Sequence, residues 1–310
     1  MKIGNLLKSR VFLAPMAGIT NLALRLQCLK YGAGMVTVPM INAIAVTRQD
    51  PSTWNLLKSA PEEKPRAVQI FGSEARTMGR AAGLIADNVA ADMIDINAGC
   101  PVRNIMEQGA GAALLRNPLK LIEIVESVKG AVDVGVSVKM RIARPQESIR
   151  IAALIEKAGA DMITVHGRTA EQGYSGIANH EVIQRIGEAL SIRVVGNGDI
   201  KDEASAERMF EKTGCDAIMI GRAADGQPQI FEKIIHYLNT GTRSDKTYDK
   251  MADFDEYCRL SEKFGHTIQE IRQYAFNLTK EHEGGARIRD KISRLCSAEE
   301  IREALNSVNS

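Results

Sequence analysis

Cysteine is scarce and scattered in this 310-residue chain: Cys28, Cys100, Cys215, Cys258 and Cys296 are odd in number, far apart and without a CxxC pair. That pattern argues against a disulfide framework and a zinc site, and fits a reducing compartment. Histidine is no better arranged for a metal, because His166 has no ligand-spaced partner and His180, His236, His266 and His282 are dispersed. Charge of one sign is also lacking. The 40 basic and 38 acidic residues leave a formal +2, so a polyanion would have to be held by a local patch and not by the overall field. No apolar run reaches membrane-spanning length, and the proline-interrupted stretch MKIGNLLKSRVFLAP is too short for a secretory signal with a cleavage site. A cytoplasmic protein without membrane association is expected.

What the chain does have is 45% hydrophobic and 25% charged residues, enough for a large core with one smaller companion. Eight short apolar or β-branched runs follow one another: Val11 to Met16, Met35 to Met40, Arg66 to Phe71, Met93 to Ile96, Gly135 to Ile142, Met162 to Val165, Arg193 to Gly196 and Ala217 to Ile220. Most are nearly continuous in apolar character, as strands covered on both faces are. Amphipathic helical patterns lie between them, among them Ser73 to Asn88, Pro118 to Lys129, Glu147 to Ala158, Asn179 to Leu190 and Glu203 to Lys212, the last with Asp202 as N-cap. Eight strand and helix units in about 240 residues predict a (β/α)₈ TIM barrel more readily than an open doubly wound sheet. After Phe231 the strand signal stops, a polar linker runs from Asn239 to Asp249, and Tyr257 to Ser307 reads as helices alone. Residues 1–240 are therefore expected to form the barrel and residues 241–310 a small helical domain.

Polar residues gather at the C-terminal ends of the strands, the face where barrel enzymes keep their chemistry. Pro15 and Met16 close the first strand, Gln69 lies in the third, Lys139 and Arg141 lie in the fifth and His166 ends the sixth. After the fourth strand, DINAGCPV at Asp95 to Val102 puts Cys100 in a Gly-Cys-Pro turn. Proline restricts the cysteine to extended or turn geometry, so its thiol should point into a loop cavity. Asn97, Gly99 and Pro101 are poor core material, which favours a functional loop over a buried inert cysteine. GNGD at Gly196 to Asp199 and GR at Gly221 to Arg222 follow strands seven and eight, the usual phosphate site of barrels. There, amides unobstructed by a Cβ approach phosphate oxygens and Arg222 adds a charge-assisted bond. Lys139, between Val138 and Met140, needs an anion or an electron-rich ring, or else a structural salt bridge. Gln69 offers a donor and an acceptor, which suits the edge of a flavin's pyrimidine ring.

These residues resemble the tRNA-dihydrouridine synthases. APMAGIT at Ala14 to Thr20, VQIFG at Val68 to Gly72, DINAGCPV, GAGAALL at Gly109 to Leu115, VKMR at Val138 to Arg141, HGRTAEQGYSG at His166 to Gly176, GNGDI at Gly196 to Ile200 and IGRA at Ile220 to Ala223 follow that family's order and spacing. The resemblance implies FMN over the barrel mouth, contacted by Pro15, Met16, Ala17, Gln69, Lys139, His166, Asn197, Gly198, Asp199, Gly221 and Arg222. It implies reduction of the C5–C6 double bond of uridines in tRNA, with Cys100 as the general acid and NADPH or NADH as reductant. Asn97, Arg141 and Tyr174 are expected on the substrate side.

The chain departs from the family pattern on that side. Asn21 stands where an aspartate usually follows the APMAG turn, Pro39 where a glutamate often ends the second strand, and His180 where a tryptophan is common. Ile142, Ala143 and Arg144 replace a Gly-Trp-Asp-like continuation. In the tail, Arg287, Arg289, Lys291 and Arg294 form a basic run, of which Arg287, Lys291 and Arg294 share a helical face. That face is either solvated surface or a contact for RNA phosphates. Two other readings stay open: an FMN barrel oxidoreductase acting on a small pyrimidine such as dihydroorotate, and a non-catalytic RNA-binding protein that kept the fold.

Overall fold

A computed structural model describes residues 9–280 and 284–306. The first eight residues of the N-terminal stretch, His282, and Ser307 at the end of the expected helical segment lie outside the described residues. Eight parallel strands close into a barrel in which each pairs with the next and β1 pairs with β8. They are β1 (Val11–Leu13), β2 (Met35–Asn42), β3 (Arg66–Phe71), β4 (Met93–Ala98), β5 (Gly135–Arg141), β6 (Met162–His166), β7 (Arg193–Asn197) and β8 (Ala217–Ile220). Around and between them run α1 (Leu22–Lys30), the short α2 (Ala43–Thr47) and α3 (Pro51–Leu56), α4 (Ala75–Asn88), the short α5 (Arg103–Glu107), α6 (Pro118–Lys129), α7 (Pro145–Lys157), α8 (His180–Ala189), α9 (Glu203–Thr213) and α10 (Ile230–Thr240). Asp202 caps α9 in a reciprocal box with Ser205, as its sequence predicts.

Several expected boundaries move by a few residues, and two of the shifts have a clear local reason. β1 ends at Leu13 and not at Met16, because Ala14 donates its last ladder bond to Ile220 and a turn held by Thr20 begins. The linker is shorter than the polar composition suggests: α10 continues to Thr240, where Gly241 takes the left-handed cap, and Asp249 caps the next helix. Four tail helices follow, α11 (Lys250–Phe264), α12 (Ile268–Leu278), α13 (Gly285–Ser293) and α14 (Ala298–Asn306). Among the described residues no helix is long and apolar enough to cross a membrane.

The strands alternate with period two, and the alternation sorts two cores. Outward side chains such as Val68, Ile70, Ile94, Ile96, Val136, Val138, Met140, Ile163 and Val165 join the helices in the main cluster. Inward side chains at the barrel's lower end, Phe12, Met35, Ala67, Met93, Met162, Val195 and Met219, form a separate small cluster. Above that plug the inward positions turn polar.

The tail is fastened to the barrel by polar contacts as well as apolar ones. Asn21, whose Oδ1 caps α1 by accepting from the Leu24 N–H, uses its Nδ2 to donate to the Tyr257 hydroxyl (2.8 Å) and to Glu270 Oε1 (3.0 Å). Tyr31 donates to Asp253 at 2.6 Å, and Gln27 donates to the Asp253 carbonyl at 2.6 Å. Asp225, just past β8, accepts from Asn277 and from Gln273 on α12. Beside it Gly226, at φ +71°, leaves no room for a Cβ, which would stand 2.9 Å from Asn277 Cβ and 3.0 Å from the Tyr274 carbonyl oxygen. The tail thus grips the loops after β1 and β8, two strands that are neighbours at the point of closure.

Asn21→Asp tests that grip. Aspartate caps a helix as well as asparagine does, so the N-terminus of α1 is retained while a donor to Glu270 becomes a second carboxylate. The variant is expected to lose about 1–2 kcal/mol of stability at pH 7, read as a lower urea midpoint with an unchanged slope. An unaltered midpoint would show that the clasp contributes nothing.

Candidate active site

Above the apolar plug, period-two alternation delivers a run of polar side chains to the barrel interior. β4 contributes Asp95 and Asn97, β5 Ser137, Lys139 and Arg141, β6 Thr164 and His166, and β7 Asn197. Register sets them side by side, with Gln69 opposite Asp95, Asp95 opposite Ser137, Asn97 opposite Lys139, Lys139 opposite Thr164 and His166 opposite Asn197.

Asp95 is buried and accepts from Ser137 Oγ (2.5 Å) and Gln69 Nε2 (2.7 Å). Burial pushes its carboxyl above the usual range, while the bonds from Ser137 and Gln69 and the nearby Lys139 pull the other way. Gln69 Oε1 accepts from Asn97 Nδ2 at 2.8 Å, and Asn97 Oδ1 accepts from the N–H groups of Gly99 (3.1 Å) and Cys100 (2.9 Å). Cys100 therefore sits on a turn wrapped around the Asn97 side chain. Its own side chain is half-buried and packs beside Phe71, Ile105, Ala110 and Met40. The Ala112 N–H bonds the Cys100 carbonyl, and a Cβ at Gly111 (φ +60°) would stand 2.7 Å from that same oxygen, so only glycine lets the next segment close over the turn.

The cations converge from the other side. Lys139 Nζ donates to one neutral acceptor, Asn197 Oδ1, at 3.2 Å. Burial pulls its pKa down to about 8, despite Asp95 nearby. Burial also drives His166 down to about 2, reinforced by Lys139, Arg141, Arg168 and Arg222, so the imidazole is neutral throughout the physiological range. Arg141 is buried and joins two loops: Nε donates to the Gly99 carbonyl (3.0 Å) and Nη1 to the carbonyls of Thr169 (2.9 Å) and Gly173 (2.8 Å). Tyr174, 62% exposed, lies between Arg141 and Arg222, whose guanidinium is 4.3 Å from its ring centre.

Gly198, at φ +121°, lies against His166; a Cβ there would meet Ala178 Cβ at 2.8 Å and His166 Cδ2 at 3.0 Å. A Cβ at Gly221 would project toward Met16 Sδ and Ala14 Cβ, at 3.6 and 3.9 Å. Among the described residues, no protein group accepts from the N–H groups of Gly198, Asp199 or Gly221. Asp199 itself is turned away, its carboxylate accepting from Arg168 Nη2 (2.7 Å) and the Ala178 N–H (2.8 Å). Free amides, a cation with one weak neutral partner and a cradle built by glycine together suit a phosphate-bearing ligand with a polar ring edge.

The structure thus gathers Met16, Gln69, Asn97, Cys100, Lys139, Arg141, His166, Tyr174, Asn197, Gly198, Gly221 and Arg222 around one mouth, with Pro15 and Ala17 in the adjoining turn. It does not bring Arg287, Lys291 and Arg294 there: Arg287 and Lys291 are exposed on α13, which packs on α12 and α14, and Arg294, exposed at its C-cap, pairs with Asp290. Arg289 leaves their face to donate to the Thr279 carbonyl. Three further residues matter that the strand-end reading passed over. Asp95 and Ser137 carry the network beneath Cys100, and Arg168 holds the loop after β6 through the carbonyls of Ser175 and Gly176 as well as Asp199. The alternation D-I-N, S-V-K-M-R and T-V-H within strands four to six was the available signal for the first two.

The departures are also placed. Pro39 falls where the register of β2 against β3 shifts between Val38 and Ile41, a position that needs no ladder donor. Ile142 is buried and Arg144 exposed, 3.6 Å from Glu147. His180 opens α8 and lines a separate cleft of about 480 Å³ with Asp199, Arg208 and Lys212.

The dihydrouridine synthase family model matches residues 12–309. The chain is 41% identical over 256 residues to a tRNA-dihydrouridine synthase B of Vibrio parahaemolyticus, covering 79% of this chain and 77% of the relative. It is 41% identical over 244 residues to the protein of the same name from Pseudomonas aeruginosa, covering 76% and 71%. Among solved structures, a 2-naphthoyl-CoA reductase complex resembles it with a TM-score of 0.60 at 13% identity, over 76% of this chain and 51% of that one. A morphinone reductase variant in complex with tetrahydroNAD does so with a TM-score of 0.55 at 11% identity, over 79% and 91%. These two likenesses show the barrel fold alone.

Proposed function

The chain belongs to the dihydrouridine synthase family, and on that footing we propose that it reduces the C5–C6 double bond of specific uridines in tRNA, with FMN as cofactor and Cys100 as proton donor. The observation that carries the reading is the coincidence, at one barrel mouth, of unpaired phosphate-turn amides, the under-partnered Lys139 and a half-buried cysteine on a braced turn. FMN, when bound, supplies two-electron transfer between NADPH or NADH and the uracil C6 position. Its phosphate would be held by the turns at Asn197 to Asp199 and Gly221 to Arg222, and its ring edge by Gln69 and Lys139. Pro15, Met16 and Ala17 line the adjoining turn, and neutral His166 offers a hydrogen bond without adding charge.

The protein's own part in the chemistry is proton delivery. Cys100 gives its thiol proton to C5 of the uracil, and the resulting thiolate stands in a mouth where Lys139 and Arg141 supply positive charge. Asn97 positions the turn, and Arg141, already committed to three backbone carbonyls, keeps that turn beside the loop bearing Tyr174, which contacts the nucleotide. The helical region after residue 240 acts as the tRNA-binding domain, its exposed Arg287, Lys291 and Arg294 meeting phosphates. The small-pyrimidine alternative gains no observation of its own, since the family match runs through the tail and the tail is clasped to both flanking loops.

Three outcomes test the reading. Purified protein reconstituted with FMN should take up one flavin per chain, seen in the visible absorbance. Hydrogen-bond acceptors of a ring edge beside Lys139 favour its charged form and raise its pKa above the ligand-free value of about 8. Between pH 8 and 9 binding should therefore take up protons and weaken as pH rises, whereas below pH 7 uptake should vanish; titration calorimetry in buffers of different ionisation enthalpy measures this, and no uptake would remove Lys139 from the ligand.

Neutralising Arg287, Lys291 and Arg294 together should weaken tRNA binding and flatten the dependence of log K on log salt by up to about two, with flavin content unchanged. Unaltered affinity across the titration would leave that face as solvated surface.

Cys100→Ala should bind FMN and accept electrons from the nicotinamide at the wild-type rate, yet lose about 10²–10⁴-fold in single-turnover oxidation by unmodified tRNA, with Cys100→Ser no better because an alcohol is a far weaker acid. Wild-type reoxidation with dihydrouridine formed would remove Cys100 from the mechanism.

A further inference from the structure

We infer that Asp95 is the positioning residue for the Cys100 turn, acting through a hydrogen-bond chain whose direction its carboxylate dictates. The inference rests on the reading of Cys100 as the proton donor. An ionised carboxylate accepts and cannot donate. Gln69 must therefore present its NH₂ to Asp95, at 2.7 Å, which turns its carbonyl oxygen toward Asn97 Nδ2, at 2.8 Å. Asn97 in turn has its own oxygen on the opposite side, where it accepts from both the Gly99 and Cys100 N–H groups. Each amide has two orientations of nearly equal shape, and the acceptor-only group at the root selects one for both. Were Asn97 reversed, its NH₂ would face two backbone N–H donors and the turn would lose both bonds.

The surroundings leave Asp95 no other use. It is 5% exposed, its second oxygen is occupied by Ser137, and it lies directly opposite Gln69 on β3 and Ser137 on β5. The hydrogen bonds from Ser137 and Gln69 and the nearby Lys139 favour the charged form, against the upward pull of burial. A protonated or amide group in that place would no longer specify which end of Gln69 it meets. The Cys100 turn would then populate a second arrangement.

The test is Asp95→Asn in the FMN-loaded enzyme. Hydrogen–deuterium exchange of the segment 97–105 should quicken by about tenfold to a hundredfold, the range expected for unmaking backbone hydrogen bonds, while segments from the β1 and β8 loops exchange as before. Measured with FMN saturating, the value of kcat with tRNA should fall by a similar factor with KM little changed. Adding Gln69→Glu to this variant restores an acceptor-only group facing Asn97, with the new asparagine at 95 donating to it, so slow exchange of the turn should return. A merely structural demand for charge at 95 would not be met by that swap. Should Asp95→Asn not accumulate folded, the double variant carries the test, and a rapidly exchanging turn in a folded double variant overturns the inference. Unchanged exchange and kcat in Asp95→Asn overturn it too. The exchange readout is independent of catalysis, so a Cys100→Ala enzyme that retains activity would sink the proton-donor reading and leave the chain from Asp95 to the turn standing.

Discussion

In a strand covered on both faces, a shift of one residue exchanges inside for outside. The seating of β4 between β3 and β5, with Asp95 opposite Gln69 and Ser137, therefore decides whether polar side chains meet one another or are driven into the helical layer. In the observed register Ile94 and Ile96 reach the main core while Asp95 and Asn97 reach the barrel interior. A slipped strand would bury a carboxylate and an amide among aliphatic side chains with no partners, which is costly enough to exclude it. The geometry of the candidate site and folding specificity thus rest on the same pairing.

Electrostatically the mouth is one-sided. Lys139, Arg141, Arg168 and Arg222 surround it, His166 is kept neutral by burial and by those cations, and the nearby acids are spoken for, Asp95 beneath the site and Asp199 by Arg168. A chain with almost no net charge still presents a positive cavity, because its acids lie elsewhere. Positive potential here is a matter of placement and not of composition.

The helical tail is joined to the barrel at the loops that flank the cradle. Asn21 bridges to Tyr257 and Glu270, Asp225 is held by α12, and the stacked rings of Tyr257 and Tyr274, 4.0 Å between centres, fill the space between. Asparagine at 21 has a physical reason in this chain, since an amide can donate to Glu270 where an aspartate would repel it. Burial raises Asp225 to about 6, a cost tolerated at a contact where two side-chain amides offer hydrogen bonds.

The sequence by itself determined the architecture and most of the site. Eight apolar runs separated by helical periodicity leave few alternatives to a barrel, and glycine turns after strands seven and eight, Lys139 amid valine and methionine, and a Gly-Cys-Pro turn each carry a local chemical signature. It could not determine side-chain partnership. The D-I-N alternation puts Asp95 on the same face as Asn97, but only closure sets Gln69 and Ser137 beside it, and nothing in HGRT says that Arg168 turns to Asp199 while His166 faces the cavity. Arg141 reads as a substrate-side cation, and only the folded barrel shows that three of its five N–H donors also go to Gly99, Thr169 and Gly173. These assignments depend on contacts between residues 26 to 42 apart in the chain, which exist only once the barrel has closed, because hydrogen-bond partners are chosen by distance in space and the sequence records only order.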